Sequence, residues 1–348
     1  MSTHDATPTG PSATDVLVVG AGMAGLTAAH ELTRTGRSVR VVDKGRAPGG
    51  RLATRRVGAA TFDHGAQFLT ARDPRFRERI ATWHEDGVVR TWFTGLPDLV
   101  PRDPERAATD DEPRYRGVPT MRSIAEHLAD GLDLHLGVQV SAIARGDDGW
   151  RIAAAHRDGG SWPLDAGSLL MTAPVPQSLA LLDTGGVPLT ADVRQQLDEL
   201  TYDPCIAVLM VPEAATTLPE HGALRLDQPP LSFLTDNLRS GASAAPAVTV
   251  HADAEASRRL WDADDERVTQ ELVAAAAPLL GTSGTGVYVH RWRYAAPVRS
   301  AAVPALIDTS TGAPIAFAGD AFVGGRLEGA ARSGLAAAEL LTDAARTA

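Results

Sequence analysis

The stretch Gly20-Ala21-Gly22-Met23-Ala24-Gly25 limits what this chain can fold into more than any other. It follows Asp15 to Gly20 (DVLVVG), a continuous apolar run that stops at glycine, as a strand buried on both faces does. From about Met23 the pattern turns helical: Leu26, Ala28, Ala29 and Leu32 share a face, and Gly36 is placed to end the helix. Ser38 to Asp43 (SVRVVD) reads as a second strand. The chain therefore opens with a βαβ unit whose first turn is G-x-G-x-x-G, a backbone device that cradles a pyrophosphate. Gly20 allows the tight turn, Gly22 lets phosphates approach the backbone, and Gly25 lets helix and strand pack closely. Met23 and Ala24 open the helix, whose N-terminus supplies free N–H groups and positive potential.

Asp43 ends the second strand, with Lys44 beside it, where a carboxylate can accept ribose hydroxyls. An adenosine 2′-phosphate would meet that charge badly, so the site suits FAD or NAD rather than NADP. Gly49-Gly50-Arg51 follows. Two glycines let the chain pass near a ligand, and the planar fork of Arg51 suits phosphate or ribose. Near the other end, Gly319-Asp320 closes a buried strand, and Gly324-Gly325-Arg326-Leu327-Glu328-Gly329-Ala330 runs into a helix. A strand-end acid can bind a ribityl hydroxyl, and a helix N-terminus can stabilise negative charge on a reduced flavin ring. Two distant elements shaped for one long cofactor point to FAD.

At 348 residues, with 44% hydrophobic and 22% charged, the chain is an ordinary globular protein long enough for two domains. A formal charge of −10 argues against broad nucleic-acid binding, which needs a basic face. The single cysteine, Cys205, excludes a disulfide framework, reads as a core residue and favours the cytoplasm. No run reaches the roughly 18 apolar residues of a membrane span. Residues 1–13 read as a disordered tail and 101–116 as a polar surface insertion. Between Leu132 and Thr172, LDLHL, VQVSAIAR, WRIAAA and SLLMT suggest antiparallel strands leading back to a buried one, with helical patterns near 188–200 and 264–280. The expected class is α/β: a Rossmann-like FAD-binding domain (14–73, 130–175 and 286–348) with an inserted mixed α+β substrate domain (74–129 and 176–285).

With these pieces assembled, the sequence resembles the renalase family, flavoproteins of the wider flavin amine-oxidase group. VVGAGMAGL, VVDKGRAPGGRLATRR, FDHGAQFLTARDPRF, TAPVPQSLALL, HRWRYA and AGDAFVGGRLEGAARSGLAAA match in the family's order across residues 16 to 338. FDHGAQF with HRWRYA carries the narrower part of the resemblance. It implies noncovalent FAD touched by Ala24, Arg51, Gln67 and Phe68. The loop Phe62–Phe68 would run along the flavin, with Gly65 and Ala66 permitting close approach and Asp63 accepting backbone N–H bonds. His64 joins the cofactor contacts; a general base and a covalent flavin anchor are its alternative roles. Val140 and Ala173 complete the expected cofactor set.

The implied activity is oxidation of 2- and 6-dihydronicotinamide isomers of NAD(P) by hydride transfer to flavin, with molecular oxygen returning peroxide. Gln67, His290, Trp292 and Tyr294 are the candidate catalytic residues, with Arg291 near them. In an alternating strand His290, Trp292 and Tyr294 share a face, which can equally be core. Oxidation of an amine or a secondary-metabolite intermediate, and a non-catalytic FAD-binding role, are the competing readings. No CxxC, HExxH or GxSxG is present, and no residue set has metal-ligand spacing. Gly281 to Gly286 (GTSGTG) lacks the lysine of a phosphate loop and reads as a flexible connection, Asp147-Asp148 as a hairpin turn, and Asp264 as a helix start.

Overall fold

A computed structural model describes residues 13–95 and 111–347. The expected tail (except Ala13) and the first ten residues of the expected insertion lie outside them. The end of that insertion is ordered structure, the strand Pro113–Gly117 paired with Val89–Thr94.

The first sheet has eight strands. Its parallel centre joins Leu164–Met171 to Thr14–Val19, Thr14–Val19 to Val39–Asp43, and Val39–Asp43 to Asp133–Leu136. Ile315–Phe317 adds to the other side of Leu164–Met171, also parallel. Val138–Arg145 and Trp150–His156 form the expected antiparallel hairpin, turning at Asp147-Asp148, and lead into Leu164–Met171. Asp133–Leu136 departs from expectation: it lies parallel to the dinucleotide strand rather than antiparallel to its successor.

Both faces of this sheet are covered, which is why its strands are nearly continuous runs of Val and Leu. Val16, Val18 and Val41 pack on one side beneath the helices Met23–Arg34 and Leu327–Thr347. Leu17, Val19 and Val42 face the other side, against the helix Val175–Thr184. Val19, Val42, Met171 and Phe317 stand in register, so the residues after them, including Gly20, Asp43, Thr172 and Ala318-Gly319-Asp320, gather at one sheet edge. In parallel sheets ligands bind at that carboxyl edge.

The second sheet is antiparallel, in the order Ala223–Arg225, Leu231–Asp236, Val248–Ala252, Tyr202–Pro212, Gly284–Pro297. The helix Asp265–Leu280, capped by the Asp264 carboxylate, buries Val268, Leu272, Ala276 and Leu280 against one face. Leu209 and Ala247 on the other face meet Ala60 and Phe62 of the hairpin Thr54–Val57/Ala60–Asp63. That contact carries the Phe62–Phe68 loop to the seam between the sheets.

Two expected divisions shift. The strand Gly284–Pro297 hydrogen-bonds along Tyr202–Pro212, so a break at 286 cuts through the second sheet. The helices Pro74–Glu85 and Arg122–Ala129 bury Phe76, Ile80, Trp83, Ile124 and Leu128 in the core of the first sheet. We propose that the substrate unit comprises mainly 202–297 and the hairpin of Val89–Thr94 with Pro113–Gly117. Residues 281–283 are a tight helix-to-strand link, with Gly281 left-handed at φ 67° against Thr217, rather than a flexible connection.

Candidate active site

The glycines of the first turn have different physical duties. A Cβ on Gly25 would stand 2.0 Å from the carbonyl oxygen of Gly20, inside any tolerable contact, so helix and turn close only on glycine there. A Cβ on Gly22 would meet nothing within 4 Å. That opening lies over the N-terminus of the helix Met23–Arg34, where unpaired N–H groups favour an anion. Gly49 and Gly50, at φ 117° and 52°, fold the next segment beside it, and the Gly49 N–H donates to the Ala21 carbonyl at 2.7 Å. Ala173 follows Thr172, whose hydroxyl donates to the carbonyls of Val19 and Gly20.

Asp43 is held in place by the chain. Its Oδ2 accepts from the Ala21 N–H at 2.7 Å and its Oδ1 from the Gly45 N–H at 2.6 Å, leaving the remaining lone pairs for hydroxyl donors. Lys44 beside it is exposed. Met23 turns its side chain inward, with its sulfur accepting from Thr27, so only its backbone can serve the cradle. Val140 is buried in the cluster that holds Val42.

Arg51 and Asp320 are brought together rather than kept for separate parts of a cofactor. Nη1 and Nη2 of Arg51 each donate to an Asp320 oxygen at 2.6 Å, a bidentate pair. Nη1 also reaches the carbonyls of Tyr294 and Ala295, which ties the strand Gly284–Pro297 to the cofactor edge. Glu328 is likewise turned away from the flavin role expected of it: its Oε1 accepts the backbone N–H groups of Arg72 and Asp73. The Ala330 N–H donates to the Arg326 carbonyl at 3.0 Å, so the Gly329 N–H remains the contribution to that end.

The Phe62–Phe68 loop is built around Asp63. The buried carboxylate accepts from Thr54 Oγ1 at 2.6 Å, Arg116 Nη2 at 3.1 Å and the Met121 N–H at 3.1 Å. Burial pushes the Asp63 carboxyl up, opposed by the Thr54, Arg116 and Met121 contacts. Its N–H donates to Asn237 and its carbonyl accepts from Thr249, both on the second sheet side. Asp63 thus works as the backbone-organising acid. A Cβ on Gly65 would lie 2.0 Å from the Arg51 carbonyl oxygen, and the Ala66 N–H donates to that oxygen at 2.8 Å. Gln67 donates to the carbonyls of Asp63 and Gly65, while its Oε1 is buried without a partner. Phe68 packs 6.0 Å from Phe233 and 6.2 Å from Phe93.

His64, His290 and Trp292 form one cluster. The His64 ring stacks on Trp292 at 5.4 Å and 22°, and lies 4.8 Å from His290. Trp292 Nε1 donates to the His64 carbonyl at 2.8 Å, and His251 Nε2 lies 3.1 Å from the same oxygen. Nδ1 of His64 is buried without a partner. Tyr294 leaves this cluster for Tyr202, at 5.6 Å. Arg291 faces the opposite side of the sheet, on Asp265 and the carbonyls of Trp261 and Ala263. Strand alternation accounts for that reversal.

Burial, then His290, His251, Arg55 and Arg122, lower His64 to about 3. Burial, Arg55 and His251 lower His290 to about 4. Both rings are neutral at pH 7. The unfolded chain binds these protons near pH 6.5 and the folded chain does not, so stability is full above that value. It falls as the pH drops from about 6.5 toward 3, by up to about 1.4 kcal/mol per pH unit for His64. Denaturant unfolding of His64→Gln between pH 7 and 4.5 is expected to show a shallower decline than wild type; identical slopes would contradict this placement.

Sequence reading missed His251, Arg116, Asn237 and Thr249, which fix the loop from outside it. A buried-strand histidine, in VTVHA, was the one available signal. Among the described residues no group of three or more His, Cys, Asp or Glu side chains can hold a metal ion. No helix among them is long and apolar enough to cross a membrane. The open space at Gly22 and the orphaned Gln67 and His64 atoms fit a phosphate-bearing cofactor with a polar ring.

Residues 18–82 match the NAD(P)-binding Rossmann-like domain, and residues 94–342 match the flavin containing amine oxidoreductase family. AofH of Mycobacterium tuberculosis, provisionally named a flavin-containing monoamine oxidase, is 49% identical over 59 residues. That match spans 17% of this chain and only 13% of AofH. A structure from Exiguobacterium sp. 255-15, provisionally named a protoporphyrinogen oxidase, aligns with TM-score 0.70 and 15% identity over 96% of this chain and 100% of the other. Putrescine oxidase bound to putrescine aligns with TM-score 0.67 and 15% identity over 95% and 99%. At such identities the structures show a shared fold. The chain belongs to the flavin containing amine oxidoreductase family.

Proposed function

We propose that this enzyme is renalase-like and oxidises 2- and 6-dihydronicotinamide isomers of NAD(P). The observation that carries the proposal is the neutral His64–Trp292–His290 cluster beside the Phe62–Phe68 loop. A protonated amine must surrender a proton before oxidation, and imidazoles lowered to about 3 and 4 are poor bases at pH 7. Arg55 and Arg122 nearby would also repel an ammonium group. A dihydropyridine needs no such base. It loses a hydride and becomes aromatic, so orientation and exclusion of water suffice.

FAD, bound noncovalently, would supply the hydride acceptor, and the two electrons with two protons would leave on molecular oxygen as hydrogen peroxide. The turn Gly20–Gly25 and the N–H groups of Met23 and Ala24 would hold the pyrophosphate, and Asp43 the ribose. Gly50 with Arg51, and Gly319 with Asp320, would line the middle of the cofactor. Gly65, Ala66, Gln67 and Phe68 would lie along the ring, with the Gly329 N–H at its end. His64 and Trp292 would form a flat wall for the nicotinamide, with Gln67 Oε1 and His64 Nδ1 as acceptors for its carboxamide N–H groups. The single thiol, Cys205, is pushed up to about 12 by burial and stays inert, in keeping with cytoplasmic work.

Asp43→Ala is expected to weaken FAD binding about tenfold or more without changing which substrate is oxidised. A changed preference with unchanged FAD affinity would place another ligand there. Aerobic peroxide release tests the function itself. The dihydronicotinamide isomers should give stoichiometric peroxide and amines none; release with amines alone would favour the amine-oxidase reading.

A further inference from the structure

From the His64 cluster a row of rings leads outward along the strand Gly284–Pro297. Tyr288, His290 and Trp292 alternate onto one face of that strand. The rings of Trp292 and His290 are 4.1 Å apart, and Tyr288 stacks on His290 at 6.3 Å and 28°. The row ends at Arg55 of the hairpin Thr54–Val57/Ala60–Asp63, whose guanidinium sits 3.7 Å over the Tyr288 ring. Exposure rises in the same direction: His64 is buried, the three rings of the strand are half-buried, and Arg55 is exposed. Burial lowers His290 first and Arg55 next, so the Arg55 charge is felt at the cluster itself.

A guanidinium stacked on a ring keeps its N–H groups in its own plane, at the edge of the stack. The N–H groups of Arg55 have no hydrogen-bond or ion-pair partner among the described residues. At the inner end of the row, the buried Nδ1 of His64 also lacks a partner. One end of the row thus suits a planar ring with a polar substituent, and the other an anion.

We infer that Arg55 is a specificity-determining residue, which takes the phosphate of a nucleotide whose ring lies against His64 and Trp292. The ribose would then lie over His290, and the guanidinium fork, held in place by Tyr288, would meet the phosphate oxygens. The inference rests on the dihydronicotinamide reading for the identity of the ring, not for the recognition of phosphate.

Two measurements on the FAD-loaded enzyme separate these claims. The first titrates it with oxidised nicotinamide mononucleotide and with the riboside, which lacks phosphate, and follows flavin absorbance. Arg55→Gln should bind the mononucleotide about tenfold more weakly than wild type, and Arg55→Lys should recover part of the loss. Arg56→Gln should match wild type, since that exposed arginine carries the same charge on the other side of the hairpin strand. Riboside affinity should be the same in all four proteins. The second measurement is kinetic: Arg55→Gln should raise KM about tenfold for the mononucleotide and dinucleotide isomers, with kcat and the riboside KM little changed. Equal losses for mononucleotide and riboside would make Arg55 a support for Tyr288 and overturn the inference. A mononucleotide that binds wild type no better than the riboside, or Arg55→Gln no worse than wild type, would overturn it too. Wild-type enzyme that oxidises none of the isomers, yet binds the mononucleotide through Arg55, would overturn the dihydronicotinamide reading and uphold the phosphate contact.

Discussion

Gly22→Val is expected to yield folded protein that purifies colourless, with FAD occupancy reduced at least about tenfold. The two halves of that outcome have separate causes. A Cβ at Gly22 meets no protein atom within 4 Å, so the substitution does not collide with the fold. The branched side chain instead fills the space over the helix N-terminus where a pyrophosphate must approach the backbone. Gly25→Val makes the contrast, since its Cβ would stand 2.0 Å from the Gly20 carbonyl oxygen and force the turn itself to move. Circular dichroism and flavin absorbance together distinguish them: Gly22→Val keeps the first and loses the second, whereas Gly25→Val should also lose stability. A yellow, fully loaded Gly22→Val protein would mean the phosphates lie elsewhere.

Arg116→Leu is expected to destabilise the enzyme by about 3–5 kcal/mol, the range for removing one member of a buried ion pair. Arg116 is 1% and Asp63 3% exposed, so the remaining carboxylate would have neither water nor a counter-charge. The double variant Asp63→Asn/Arg116→Leu should be more stable than Arg116→Leu alone, because the uncompensated charge has gone. Urea unfolding of the three proteins measures this. Equal losses in the single and double variants would show that the pair contributes packing rather than charge. The loop also has a functional stake, since Asp63 holds Thr54, Met121, Asn237 and Thr249 around the segment that ends at Phe68. Flavin absorbance of the folded Asp63→Asn protein is a convenient monitor of that coupling.

The parts legible in the sequence are those governed by local pattern. The cradle was visible because a strand, a glycine-spaced turn and a helix are adjacent in the chain, and the closing helix begins at Leu327 as its periodicity suggested. The backbone part of the Asp63 role, its bond from the Met121 N–H, followed from the resemblance, whereas its side-chain donors Thr54 and Arg116 did not. Long-range pairings were not legible. Arg51 and Asp320 each carried the right chemistry for a cofactor, and nothing in either segment said that the two would meet. Glu328 was read from its helix position, whereas its carboxylate is claimed by Arg72 and Asp73. The strand Gly284–Pro297 shows the same limit: alternation separated Arg291 from His290 and Trp292, but which sheet it joins depends on Tyr202–Pro212. A bulge between Asp203 and Cys205 in that partner further breaks the regular register on the way to Tyr294.

The most direct test is anaerobic reduction of the purified enzyme's flavin, followed by absorbance, with normal NADH, its 2- and 6-dihydro isomers and a set of amines. Rapid bleaching by the isomers, none by the amines, and recovery with one peroxide per flavin on readmitting air is the expected result. Bleaching by an amine, with the isomers inert, would contradict the proposed hydride transfer and assign the neutral histidine cluster another role.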